Sequence, residues 1–282
     1  MSVAPYEKII PSGELASNCL FAGDSKNPTL LLLHGAGPGA SAASNWLSCA
    51  PDLAKHFFVV APDAIGFGKS EMPKEIPDNI CRWMGYRVEQ VKGLLNGLNI
   101  EKTHIIGNSM GGALALQCAV EMPDRFDKGM IMGAIGAPFK KSSTLVRMMN
   151  FYDDPRVSRY RELIESFVYD PSVIEDLDKV MEDRFAKAMD PEMRPIQEVM
   201  FKAMNEGMDK LIIPPEVLGR MEHEWSIIHG RQDKVIPLDT SLYFLQHLKK
   251  AELHVLDRCG HWAQTQRWDA MYPLVLAHFL DE

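Results

Sequence analysis

The chain predicts an α/β fold in which helices flank a mostly parallel central sheet and a helical lid is inserted into it. Three observations predict it. Short apolar runs alternate with segments of helical spacing, the runs lack polar–apolar alternation, and one long stretch carries no strand pattern at all. Strands of a parallel sheet are covered on both faces, so they read as continuous apolar runs, and strand–helix–strand order implies right-handed crossovers.

In chain order, the runs are TLLLL (residues 29–33), FFVVA (57–61), HIIG (104–107) and GMIMG (129–133). Residues 79–98 and 110–121 between them have helical spacing, and Pro123 stops the second helix. Over residues 139–213 charged helical segments dominate, punctuated by Asp154-Pro155, Asp170-Pro171 and Asp190-Pro191. Eight of the 17 methionines fall there (Met148, Met149, Met181, Met189, Met193, Met200, Met204 and Met208), as core filler or as lining of an apolar pocket. WSIIHG (225–230) and AELHVL (251–256) resume the strand pattern, and residues 269–280 make a last amphipathic helix. The predicted organisation is a core of residues 1–138 and 214–282 with a lid at 139–213.

Composition narrows the function. At 282 residues, 46% hydrophobic and 24% charged, the chain suits one large α/β domain with an insertion. A net charge of −8 argues against nucleic-acid binding and against a polybasic membrane contact. No apolar run approaches a membrane span, and MSVAPYEKII lacks the apolar core of a secretory signal. Cys19, Cys49, Cys81, Cys118 and Cys259 are scattered and in no metal spacing, which implies a reducing, cytoplasmic setting and no metal site.

The chemistry begins at Gly107-Asn108-Ser109-Met110-Gly111, a G-x-S-x-G pattern where an apolar run meets a helix. A serine in so tight a turn needs small neighbours, because strand and helix backbones must approach closely. The helix then aims its free N–H groups at any negative charge that forms beside the hydroxyl. The bland alternative is a glycine-rich turn whose serine only caps the helix.

A serine hydroxyl also needs a base, and the base an orienting acid. Asp233 falls in the loop after WSIIHG and His261 in the loop after AELHVL, in the order Ser, acid, His. His247 lies in a helical pattern, His254 within a strand and His278 near the last helix end, while Asp239 reads as a helix N-cap and Asp257 ends a strand. An oxyanion hole needs donors as well. The loop His34-Gly35-Ala36 follows the first strong strand and supplies the Ala36 N–H, with the Met110 N–H as partner. The spacing of HGAGPG fits no phosphate-binding loop, and His34 reads as structural.

The stretches LLLHGAGPGA, NW, VVAPDAIGFGKS, IIGNSMGG, GRQDKVIPLD and LHVLDRCGHWAQ resemble the α/β-hydrolase superfamily. More narrowly, the chain resembles the meta-cleavage product hydrolases, which split carbon–carbon bonds in vinylogous 1,5-diketones formed by extradiol cleavage of catechols. The resemblance implies a triad of Ser109, Asp233 and His261 and an oxyanion hole of Ala36 and Met110. It implies that Asn45 and Asn108 hold the substrate's carboxylate and enol or keto oxygens, and that Trp262 is the aromatic after the histidine. In the lid, which matches more loosely, it implies Arg184 as the carboxylate-binding arginine and Phe167 as an aromatic of the pocket wall. The family often has Gly or Ser where this chain has Ala36; a backbone donor survives that change.

The implied reaction is hydrolysis of a 2-hydroxy-6-oxo-hexa-2,4-dienoate to 2-hydroxypenta-2,4-dienoate and a carboxylic acid, by a homo-oligomer without cofactor. An acidic substrate on an acidic protein needs a local cation, and a guanidinium can grip a carboxylate in bidentate fashion. A carboxylesterase would share the triad and the hole, and a ligand-binding protein on the same fold would leave its ligand uncleaved. Epoxide hydrolases and haloalkane dehalogenases need a carboxylate where this chain has Ser109.

Overall fold

Alternate residues of the central strands point to opposite faces of one sheet, and both faces are buried. Leu31, Leu33 and Ile105 enter one apolar cluster, whereas Leu30, Leu32 and Ile106 enter a second. That is why these strands carry no polar alternation. The computed structural model describes residues 4–280.

The first half runs β1 (Tyr6–Ser12), β2 (Leu15–Ala22), β3 (Thr29–Leu33), α1 (Ala42–Trp46), α2 (Ala50–Leu53), β4 (Phe58–Pro62), α3 (Ile80–Gly97), β5 (Thr103–Asn108), α4 (Met110–Glu121) and β6 (Phe126–Met132). Four longer helices follow without a strand: α5 (Ser143–Met149), α6 (Val157–Phe167), α7 (Leu177–Ala188) and α8 (Met193–Gly207). The chain then returns to the sheet through α9 (Pro215–Leu218), β7 (Glu224–Gly230), α10 (Asp239–His247), β8 (Ala251–Leu256), α11 (Ala263–Gln266) and α12 (Trp268–Phe279).

Among the described residues the sheet has eight strands in the order β1-β2-β4-β3-β5-β6-β7-β8. β2 pairs antiparallel with β1 and with β4, and the pairs from β4 to β8 are parallel. The antiparallel hairpin β1–β2 has no counterpart in the sequence reading. Tyr6 to Ile9 of β1 are exposed on an edge strand, and β2, though buried over Ser17–Ala22, mixes Ser17 and Asn18 into its short apolar run. Asp239 is the first residue of α10 rather than its cap.

The insertion seats on the core through side chains that reach across. On α8, Gln197 Nε2 donates to Gly66 O at 3.3 Å, and the buried Arg87 of α3 donates through Nε to Ile65 O at 2.9 Å while lying against Met200 Sδ. Of the insertion's methionines, Met148, Met149, Met181, Met200, Met204 and Met208 are buried in the main apolar cluster, as filler.

Candidate active site

Ser109 occupies a sharp turn between β5 and α4, at φ 55° and ψ −113°. A left-handed φ is strained for a serine, and the surroundings hold it there. Its N–H donates to Met132 O at 2.8 Å, and its carbonyl accepts from Gly112 and Ala113 at the start of α4. The small neighbours are required: a Cβ at Gly107 would lie 2.1 Å from Gly111 O, and one at Gly111 would lie 2.2 Å from Leu33 O. Ser109 heads the helix without capping it through its side chain, so the bland capping role does not apply.

His261 and Asp233 arrive from the loops after β8 and β7. His261 Nδ1 is 2.7 Å from Asp233 Oδ2, and Asp233 Oδ1 accepts from the N–H groups of Val235 (2.7 Å) and Ile236 (3.0 Å). Burial pushes the Asp233 carboxyl up, but the charge and hydrogen bond of His261, together with His229 and the Ile236 N–H, outweigh it and hold the pKa below the ordinary 3.8. An ionised carboxylate on Nδ1–H leaves Nε2 as the imidazole's basic atom.

The elbow and this pair meet at the end of β6. Gly133, next to the Met132 that binds Ser109, has φ 46°, and a Cβ there would sit 3.1 Å from both Asp233 Oδ2 and His261 Nδ1. Asn108 Nδ2 lies 3.5 Å from His261 O. The histidines at 247, 254 and 278 stand elsewhere, and Asp257 is exposed and paired with Arg231.

The loop after β3 supplies the candidate oxyanion donors. His34 Nε2 accepts from the Ala64 N–H at 2.9 Å, so its Nδ1–H donates to Gly35 O, also at 2.9 Å. Burial lowers the His34 pKa and keeps the ring neutral, as this pattern requires. His34 is thus structural, and it fixes the peptide that precedes Ala36. The Ala36 N–H makes no hydrogen bond among the described residues. Met110, the first residue of α4, has no partner four residues back within its helix.

The inserted helices close the site. The His261 N–H donates to Phe167 O, and the Phe167 ring meets the His261 and Trp262 rings at centroid distances of 6.0 and 5.3 Å. Arg184, only 6% exposed, lies over the Trp262 ring at 4.8 Å. Among the described residues no carboxylate pairs with it, and its Nε has no hydrogen-bond partner. A buried cation without a counter-charge costs several kcal/mol, so the arrangement calls for an anion. Asn45 stands apart from these contacts: its amide donates to Ser41 O and Ser44 Oγ within its own turn.

A family model for the alpha/beta hydrolase fold matches residues 28–180. The 2-hydroxy-6-oxo-2,4-heptadienoate hydrolase of Pseudomonas putida is 33% identical over 94% of this chain and 92% of its own. The solved structure of a 2-hydroxy-6-oxo-6-phenylhexa-2,4-dienoate hydrolase from Rhodococcus sp. strain RHA1 superposes with a TM-score of 0.98 at 57% identity, over 99% of this chain and 100% of that one. A meta-cleavage product hydrolase from Pseudomonas fluorescens gives a TM-score of 0.88 at 32% identity, over 96% and 97%.

This chain belongs to the meta-cleavage product hydrolases of the α/β-hydrolase family.

Within that family framework, the structure also draws in residues that sequence reasoning passed over. Asp63, in VVAPDAIGFGKS, accepts from the N–H groups of Ala42 (2.7 Å) and Lys69 (2.9 Å) and so ties the start of α1 to the loop after β4. His229, one residue before the end of β7, lies 3.8 Å from the same Asp233 oxygen that holds His261. Tyr160 of α6 reaches the oxyanion loop. Asp63 follows a predicted strand end, which is a usable signal; nothing in RYREL distinguishes Tyr160 from an ordinary core aromatic.

Proposed function

We propose that this enzyme hydrolyses the C5–C6 bond of a 2-hydroxy-6-oxo-hexa-2,4-dienoate, giving 2-hydroxypenta-2,4-dienoate and a carboxylic acid. The observation that carries the reading is Arg184, a buried guanidinium without an acidic partner among the described residues, joined through Trp262 to the loop of His261. A plain esterase for neutral substrates has no use for such a cation. The printed names of the Pseudomonas putida and Rhodococcus relatives share the 2-hydroxy-6-oxo-dienoate core, which supports the same substrate class.

In this reading Arg184 binds the substrate carboxylate, with Phe167 and Trp262 walling the chamber. Asn108 contributes its amide to the oxygenated end, and Asn45, whose N–H groups are held within its own turn, offers Oδ1 to the enol hydroxyl. Protonation at C5 converts the dienol into its 2-keto tautomer and creates an electron sink. His261 then takes a proton from the nucleophile, either Ser109 Oγ or a water beside it, which attacks the C6 carbonyl. The Ala36 and Met110 N–H groups receive the oxyanion. As the C5–C6 bond breaks, its electron pair moves from C5 through the C3–C4 double bond to the C2 oxygen, which is protonated to the enol. When Ser109 attacks, water releases the acyl group in a second addition. Asp233 holds the imidazole tautomer and stabilises its cation.

Stopped-flow absorbance with dienoates differing at C6 tests this, because the yellow chromophore fades on cleavage. Wild type is expected to bleach at least one member, and Ser109→Ala to slow the decay on the order of 10³-fold or more while keeping its fold. Flat traces for every member, alongside good turnover of p-nitrophenyl esters, would overturn the reading in favour of an esterase.

A further inference from the structure

One hydroxyl touches both anion-handling parts of the site. Tyr160 is fully buried on α6, and its O–H donates to Pro38 O in the oxyanion loop at 2.7 Å. Burial pushes the phenol pKa up, partly offset by the positive charge of the neighbouring Arg184 guanidinium, which lies close enough to bond the same oxygen. The loop is pressed against Arg184 as well. A Cβ at Gly39 would lie 2.1 Å from Arg184 O, and one at Gly37 would lie 3.9 Å from Arg184 Nη2. Pro38 is two residues past Ala36, so moving the Pro38 carbonyl reorients the chain that carries the Ala36 N–H.

We propose that Tyr160 is a positioning residue that couples carboxylate binding at Arg184 to alignment of the oxyanion loop. The inference rests on the roles given above to Arg184 and Ala36. A phenol oxygen has one proton to give and lone pairs to receive. With the proton committed to Pro38 O, a lone pair is left for Arg184, which orients the guanidinium and leaves its other N–H groups for a ligand. The ring itself packs on Phe151 and Phe185, at 5.4 and 5.6 Å between centroids. Phenylalanine would keep that packing and lose only the two polar bonds.

The test is a cycle of wild type, Tyr160→Phe, Arg184→Met and the double variant, with Tm recorded for each. p-Nitrophenyl acetate reports the oxyanion hole, and sorbate (2,4-hexadienoate) as competitive inhibitor reports carboxylate binding. Tyr160→Phe is expected to raise the sorbate inhibition constant about tenfold and to lower ester kcat about tenfold, in each case the scale of one lost buried hydrogen bond. In the Arg184→Met background it is expected to leave the inhibition constant unchanged and still lower kcat. An unchanged inhibition constant in Tyr160→Phe, or an equal rise with and without Arg184, would overturn the coupling. Tyr160→Met, which fills the space with a flexible apolar chain, is expected to repeat the pattern should the first variant fold poorly. The dienoate reading is tested separately by wild-type bleaching, so failure of one is distinguishable from failure of the other.

Discussion

The His261 N–H donates to the Phe167 carbonyl at 2.7 Å, which bonds the loop of the proposed base directly to an inserted helix. The same helix reaches the oxyanion loop through Tyr160 and Pro38. α6 therefore frames the site from both sides, and a change at its seat is expected to be read out in catalysis.

Gly260 is where that seat is tightest. A Cβ there would lie 2.6 Å from Phe167 O and 3.0 Å from the Val168 carbonyl carbon, both backbone atoms that yield only if the helix end moves. Gly260→Ala is expected to cost about 1–3 kcal/mol in urea unfolding and to lower kcat by tenfold or more. Unaltered kcat in a destabilised variant would show that α6 does not position the base.

Arg184 carries opposite consequences for stability and binding. Replacing a buried, unpaired cation by an apolar chain of similar length removes a desolvation cost, so Arg184→Met is expected to raise stability by about 1 kcal/mol or more. The same variant is expected to raise KM for a dienoate at least tenfold and to leave KM for p-nitrophenyl acetate unchanged. Thermal unfolding and steady-state kinetics on the two substrates read both effects.

Asp233 sets an acid limit on stability. Its native pKa is held below 3.8, so the unfolded chain takes up this proton first as pH falls. The contribution is fully present above that value and is lost as pH drops through the lower native one. Asp233→Asn is expected to flatten the stability profile below about pH 4 and to reduce kcat on the order of 10⁴-fold, with denaturant melts from pH 3 to 6 as the check.

His34 acts in an earlier window. Burial depresses its pKa below 6.5, so below that pH the unfolded chain binds a proton that the native chain refuses, and stability falls with falling pH. His34→Gln is expected to reduce this slope between about pH 6.5 and 5. It is also expected to lower kcat, because the Gly35 carbonyl loses its donor and the Ala36 N–H is no longer fixed. An unchanged slope would mean that His229 and His278, also depressed by burial, carry the effect.

The buried parallel strands were legible because both sheet faces are covered, which writes runs such as TLLLL directly into the chain. The turn at Ser109 was legible because only glycine fits at Gly107 and Gly111, and the order of Ser109, Asp233 and His261 followed from their places after β5, β7 and β8. Each of these marks sits on a short stretch of chain, although the atom that excludes a Cβ at Gly111 is Leu33 O on β3. The edge strand β1 left no such mark, since an exposed strand tolerates almost any residue. Tertiary structure alone decided that Tyr160 meets Pro38 across 122 residues, that Arg184 lies buried without a counter-charge among the described residues, and that His34 keeps a neutral tautomer. Each depends on which distant surfaces pack together, and packing on that scale is a property of the assembled fold.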